Sequence, residues 1–187
     1  MCCKRQVLNT SCSLATYYLQ LITIMFSPQR QKELGKKSEG ENKRLIKFLK
    51  KKKPADLDLK AQEAHDQAFD CINCLDCAMC CTTTGPLFTD KDINRLALHF
   101  RLKDIEFRDQ YLRLDEDGDW VLKQIPCPFL GPDNYCSVYE DRPKACREYP
   151  HTDRRKFGQI LDLTLKNTFI CPAAHQVMET LQKVYLK

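Results

Sequence analysis

Cys71-Ile72-Asn73-Cys74-Leu75-Asp76-Cys77-Ala78-Met79-Cys80-Cys81 places five cysteines within eleven residues, four at intervals of three and the fifth doubling the last. Tight turns between thiols at that spacing aim their sulfurs at a common point. Four more cysteines follow at Cys127, Cys136, Cys146 and Cys171. Twelve cysteines in 187 residues suit either a disulfide framework or a set of metal ligands, and spacing separates the two. A vicinal Cys80-Cys81 disulfide is strained and makes a poor staple, whereas repeated Cys-x-x-Cys is a zinc and iron–sulfur ligand spacing. The run is therefore read as metal-binding.

Zinc takes four thiolates, and so does a simple iron–sulfur cluster. Nine cysteines from Cys71 onward thus suffice for two four-coordinate sites with one to spare. Side chains of adjacent residues diverge in strands and in helices. Cys80 and Cys81 are accordingly expected to point apart and to serve two metals, or two edges of a bridged centre. Cys71-x2-Cys74-x2-Cys77-x3-Cys81 also has the bacterial ferredoxin spacing, but Thr82 stands where that motif has proline and no second run follows. Iron–sulfur chemistry stays open on spacing alone.

The flanking sequence reads as short helices and loops. Leu45, Ile46, Phe48 and Leu49 form a helical stripe over residues 41–53, ended by Pro54. Asp56 is the expected cap of a helix over 57–70, with Leu57, Ala61, Ala64, His65, Ala68, Phe69 and Ile72 inward. After the cysteine run, 82–86 reads as a loop. Thr89 then caps a helix over 90–100 with Ile93, Leu96, Ala97 and Phe100 inward. Asp104 caps another with Ile105, Phe107, Tyr111 and Leu112 as its apolar set. Residues 112–122 read as a hairpin turning at Asp115-Glu116-Asp117-Gly118. Pro128, Gly131, Pro132 and Asn134 make a tight knuckle between Cys127 and Cys136. Pro143 suits the first turn of a short helix bearing Cys146. Residues 156–167 are expected to be helical, and Pro172 opens a last helix with Val177, Leu181 and Val184 in a stripe. Cys171 precedes that helix, where its N-terminus favours a thiolate. The expected fold is helix-rich α+β: a small metal-organised domain of several short helices, one β-hairpin and cysteine knuckles.

Cys74-x2-Cys77-x2-Cys80-Cys81 resembles the signature of the CxxCxxCC, or YkgJ-type, cysteine cluster family, described as zinc- or iron-chelating. The resemblance continues through Cys127-Pro128-Phe129-Leu130, Cys136-Ser137-Val138-Tyr139-Glu140-Asp141-Arg142-Pro143 and Cys146-Arg147-Glu148-Tyr149-Pro150. These look like the family's C-x-F-L, C-x-I-Y-x-x-R-P and C-R-x-[FY]-P elements, in order, and the likeness covers about residues 69–175. It implies Cys74, Cys77, Cys80, Cys81, Cys127, Cys136 and Cys146 as ligands, with Cys171 an eighth. Cys71 departs from the pattern by adding a Cys-x-x-Cys step ahead of the signature, so either Cys71 or Cys74, or both, begins the ligand set. Related clusters occur in flagellin lysine methylases, but no methyl-donor motif is visible here.

Arg142 and Arg147 flank Cys146 and suit hydrogen bonding to thiolates and offset of their charge. Salt bridges to Glu140, Asp141 or Glu148 are the equal alternative. His175, four residues past Cys171, has the position to complete a Cys3His site, but cysteines are already in excess and a satisfied histidine is the simpler reading.

Residues 14–26 are apolar and follow Lys4 and Arg5, which imitates a signal peptide. Gln20 interrupts the stretch, no small-x-small cleavage site follows, and it is too short to span a bilayer. The preferred reading is translation from Met25, leaving Cys2, Cys3 and Cys12 without a role. Residues 28–53 hold eleven Lys/Arg against three Asp/Glu, while 54–187 hold seventeen against twenty-two. The sequence is accordingly divided into 1–24, a mis-called start or weak targeting-like segment; 25–55, a basic helical extension and linker; and 56–187, the cysteine-cluster domain. The chain is expected to be cytoplasmic, with no transmembrane span.

Three functions fit. The first is binding of zinc or iron for sequestration, delivery or sensing. The second is an iron–sulfur or binuclear metal-dependent redox enzyme. The third is a zinc-stabilised adaptor whose basic arm, with Lys50-Lys51-Lys52-Lys53, contacts nucleic acid or protein. No phosphate loop, nucleophile–base signature or internal repeat is present.

Overall fold

The computed structural model describes residues 27–186. The readings of residues 14–26, Met25, Cys2, Cys3 and Cys12 lie outside the described residues. In chain order the elements are α1 (Pro28–Lys52), α2 (Leu57–Phe69), α3 (Cys74–Cys77), α4 (Met79–Thr83), β1 (Leu87–Phe88), α5 (Asp90–Phe100), α6 (Asp104–Tyr111), β2 (Leu112–Leu114), β3 (Trp120–Leu122) and α7 (Lys144–Glu148). A 3-10 turn (Phe157–Gln159), α8 (Leu161–Asn167) and α9 (Pro172–Tyr185) complete the chain. The architecture is helix-rich α+β. It divides into two compact units, one formed by residues 27–73 with 150–186 and the other by Cys74–Tyr149. Among the described residues no helix is long and apolar enough to cross a membrane.

In the first unit α9 packs on α1, α2 and α8. Its core is Leu45, Ile46, Leu49, Leu57, Ala61, Ala64, Ala68, Phe157, Leu161, Ala173, Val177, Met178 and Leu181. Small residues along α2 let the facing helix approach closely. The α1 helix starts well before the expected residue 41. Ser27 caps it by accepting from the Arg30 N–H at 3.3 Å, and Pro28 occupies the first turn. Its early buried face is polar: Gln31 donates to the Thr168 carbonyl at 2.7 Å, and Asn42 accepts from Gln182 at 2.7 Å. Hydrophobic periodicity cannot register such a face. At Gly35 a Cβ would lie 2.9 Å from the Phe169 Cα, so glycine permits that close packing. The helix ends at Lys53, whose left-handed backbone (φ 46°) returns its N–H to the Leu49 carbonyl at 2.8 Å. Asp56 precedes α2 without capping it; its carboxylate accepts from Tyr185 Oη at 3.0 Å. Val184, expected inward, is 41% exposed.

In the second unit the hairpin forms as expected, and β1 adds a third strand that apolar patterning missed because it is only two residues long. The antiparallel order is β1-β3-β2, with Leu87 opposite Val121 and Leu112 opposite Leu122. Asp115 closes the turn by accepting from the N–H groups of Asp117 and Asp119 at 3.0 and 2.9 Å, and Gly118 supplies φ +82°. Residues 82–83, expected in a loop, continue α4, where the Thr82 and Thr83 hydroxyls donate to the Met79 carbonyl at 3.0 and 2.6 Å. Lys103, not Asp104, holds the cap position of α6, and Ile105 is 69% exposed rather than inward. The core gathers Phe88, Ile93, Leu96, Ala97, Phe107, Leu112, Leu122, Phe129 and Val138.

Candidate metal centre

Two blocks of the second unit carry the thiols. In the first, α3 and α4 are single turns joined at Ala78, whose left-handed backbone (φ 46°) reverses the chain between Cys77 and Cys80. The Ala78 N–H donates to the Cys74 carbonyl at 3.0 Å, and the Thr84 N–H to the Cys80 carbonyl at 2.9 Å, which closes both turns. Cys80 and Cys81 do not point apart as expected: their Sγ atoms are 4.0 Å apart. The Cα–Cβ vectors of neighbours diverge, but rotation about χ1 brings the sulfurs back together.

The second block is anchored to the hydrophobic core. Phe129, between Cys127 and Cys136, is 5% exposed, and its ring centroid lies 5.1 Å from that of Tyr111 and 5.5 Å from that of Phe100. Leu130 and Cys136 form an antiparallel bridge, and the Ser137 N–H donates to the Phe129 carbonyl at 2.8 Å. The two blocks meet through the backbone, the Cys127 N–H donating to the Cys81 carbonyl at 2.8 Å.

Cys74, Cys77, Cys80, Cys81, Cys127, Cys136 and Cys146 are all free thiols of this unit. Burial, with repulsion from neighbouring thiolates, pushes Cys77 and Cys127 up to about 11 and Cys146 up to about 12. Cys74 and Cys136 are raised for the same reasons. Cys81 is raised chiefly by its contact with Cys80, then by burial. Mutual repulsion among these thiolates adds to burial at Cys74, Cys77, Cys127 and Cys146.

Cys71 and Cys171 belong to the first unit. Cys71 follows the last turn of α2, its N–H donating to the Ala68 carbonyl at 3.2 Å, and it is disulfide-bonded in this structure. Cys171 holds the cap position of α9 and packs against the first unit's core. His175 meets Ser38 Oγ through Nδ1 at 3.5 Å and Glu179 through Nε2 at 3.5 Å, the satisfied histidine the sequence favoured.

Arg142 stacks its guanidinium 3.8 Å from the centre of the Tyr139 ring and donates to the Tyr139 carbonyl at 2.5 Å. From there its charge favours the thiolates of Cys74, Cys136 and Cys146. Arg147 plays a different part, donating to the Arg142 carbonyl at 2.6 Å. Sequence reading missed Asp92 and Arg95. Thr-x-x-Asp announces a capping box and Asp-x-x-Arg an i,i+3 pair, but neither reveals that both residues reach the Cys146 segment: Asp92 accepts from the Lys144 N–H at 3.0 Å, and Arg95 donates to the Asp141 carbonyl at 3.0 Å.

The donor set suits a soft or borderline cation. Two sulfurs about 2.3 Å from one tetrahedral zinc stand about 3.8 Å apart, close to the Cys80–Cys81 separation of 4.0 Å. Among the described residues, no group of three or more His, Cys, Asp or Glu side chains is drawn close enough to hold a metal ion outright. Neutral thiols have no attraction that would draw them closer, and thiolates repel.

Fold and site together define a helix-rich α+β protein with a thiol-rich unit. The family model CxxCxxCC, described as "putative zinc- or iron-chelating domain", matches residues 73–168, just over half of the chain, and the chain belongs to that family. The matched stretch contains all seven thiols of the second unit, beginning after Cys71 and ending before Cys171. No curated protein and no solved structure gives a match.

Proposed function

We propose that the second unit binds zinc or iron through Cys74, Cys77, Cys80, Cys81, Cys127, Cys136 and Cys146, and that it serves metal sequestration, delivery or sensing. The observation that carries this reading is that seven free thiols fall in one compact unit, all inside the stretch that matches a zinc- or iron-chelating family. Seven sulfurs are what two four-coordinate ions need when they share one thiolate. A fully thiolate set leaves little room for the open coordination position that a catalytic zinc keeps, which favours holding metal over turning over a substrate. Arg142 would offset part of the accumulated negative charge.

Anaerobic purification followed by elemental analysis and an absorption spectrum tests the proposal. Colourless protein with about two zinc ions per chain supports paired zinc sites. Brown protein with iron and acid-labile sulfide supports an iron–sulfur centre on the same thiols, and iron without sulfide an iron–thiolate site. Protein that remains metal-free after anaerobic exposure to zinc(II) and iron(II) overturns it.

A further inference from the structure

A network of polar contacts centred on the buried Asp92 fastens the Cys136–Cys146 connection to α5. Asp92, 1% exposed, accepts from the Thr89 N–H at 3.0 Å, the Thr89 hydroxyl at 2.6 Å, Arg95 Nη2 at 2.7 Å and the Lys144 N–H at 3.0 Å. Its capping role accounts for the first two contacts. The other two reach forward along α5 and across to α7. Arg95 then donates through Nε to the Asp141 carbonyl and through Nη2 to the Arg142 carbonyl, each at 3.0 Å. Arg147 holds the Arg142 carbonyl from the other side at 2.6 Å.

The segment so held is short and consequential. It joins two thiols, Cys136 and Cys146, and carries Arg142 between them. Residues 139–143 contain no helix or strand of their own, only turn bonds such as that from the Asp141 N–H to the Val138 carbonyl at 3.0 Å, so these side chains add much of the hold on them. A loop left free would lose its conformational freedom at the moment of metal binding, about 1–2 kcal/mol per residue fixed. A loop already pinned has little left to lose, and metal affinity rises accordingly.

We propose that Asp92 and Arg95 are positioning residues for the metal centre, clamping residues 141–144 so that Cys146 and Arg142 stand ready beside the other thiols. The role rests on the metal-binding function proposed above. Neither residue touches the metal; both act through the backbone that carries a ligand.

The test uses the full chain with Asp92→Asn, Arg95→Met and Arg95→Lys. Zinc(II) affinity is measured by competition with a chromophoric chelator, and cobalt(II)-loaded protein is examined for its thiolate-to-metal charge-transfer absorption. Asp92→Asn and Arg95→Met are expected to bind zinc about 10–100-fold more weakly, with weakened or shifted cobalt–thiolate absorption. Arg95→Lys, which keeps the charge but cannot reach both carbonyls as a rigid fork, is expected to fall between Arg95→Met and wild type. Urea unfolding of each chelator-treated variant separates positioning from general destabilisation. Wild-type affinity and an unaltered cobalt spectrum in Arg95→Met overturn the proposal, as does an affinity loss no larger than the loss of fold stability explains. Those outcomes leave the metal centre standing, whereas a wild-type chain that takes up neither zinc nor cobalt sinks both ideas.

Discussion

The Cys127 N–H donates to the Cys81 carbonyl at 2.8 Å, joining the last cysteine of the dense run to the first of the later block. The two residues are far apart in sequence, yet this bond fixes where the knuckle stands relative to α4. Cys81 is thereby tied to the second block by its backbone while its sulfur meets that of Cys80.

The proposed ligand set gives a distinct expectation for each single substitution. Cys81→Ser is expected to lose more metal than Cys74→Ser, because the Cys81 sulfur stands 4.0 Å from that of Cys80 and its backbone meets the second block at Cys127. Cys74→Ser is expected to lose some metal, whereas Cys71→Ser and Cys171→Ser leave metal content at the wild-type level. Elemental analysis of the four variants, purified anaerobically, decides. Metal loss in Cys71→Ser with retention in Cys74→Ser would reverse the register.

Metal uptake is expected to strengthen as pH rises. Burial, with repulsion among neighbours, holds Cys77 and Cys127 at about 11 and Cys146 at about 12, so each is protonated at neutral pH without a cation. Each thiol that becomes a ligand must release its proton. Below these values, log affinity gains about one unit per pH unit for every thiol deprotonated on binding. Zinc competition assays at pH 6, 7 and 8 measure the slope; a flat profile excludes thiolate ligation.

Phe129 couples the knuckle to the aromatic core. Its ring packs within 5.5 Å, centroid to centroid, of both Tyr111 and Phe100. Phe129→Ala is expected to cost about 3–5 kcal/mol of stability, read from urea denaturation of the metal-free chain. Added zinc should recover part of the loss, because a ligand that binds only the folded form stabilises it.

Asp92 gives the fold an acid-sensitive joint. Burial raises its carboxyl pKa, but hydrogen bonds from Thr89, Arg95 and Lys144 outweigh that and hold it below the usual carboxylate range. A depressed pKa contributes stability in full above the unfolded value of about 3.9. The contribution fades as pH falls toward the folded value. The stability gap between wild type and Asp92→Asn should therefore be widest near neutrality and shrink below about pH 4. Denaturant midpoints at pH 3 to 7 measure it; a gap that widens in acid contradicts this origin.

Periodicity and capping chemistry made several elements legible. The stripe Leu57, Ala61, Ala64, Ala68 announced α2, and Thr89 marked the start of α5. Asp115 through Gly118 announced the hairpin turn. Where a buried face is polar, as at Gln31 and Asn42 in α1, patterning failed because burial there is compensated by hydrogen bonds with distant residues. Ile105 and Val184 lie on apolar stripes but at their solvent-facing margins, a matter of what packs opposite.

Sequence by itself determined the chemistry: thiols at metal-ligand spacing, arranged in the order of a chelating family. Both the spacing and the turn residues between the thiols are local properties. Tertiary structure decided which thiols share a unit, that Cys80 and Cys81 bring their sulfurs together, and that Asp92 and Arg95 hold the Cys146 segment. Each of these depends on contacts between residues remote along the chain or on a rotamer set by its surroundings, and such information exists only once the backbone has folded.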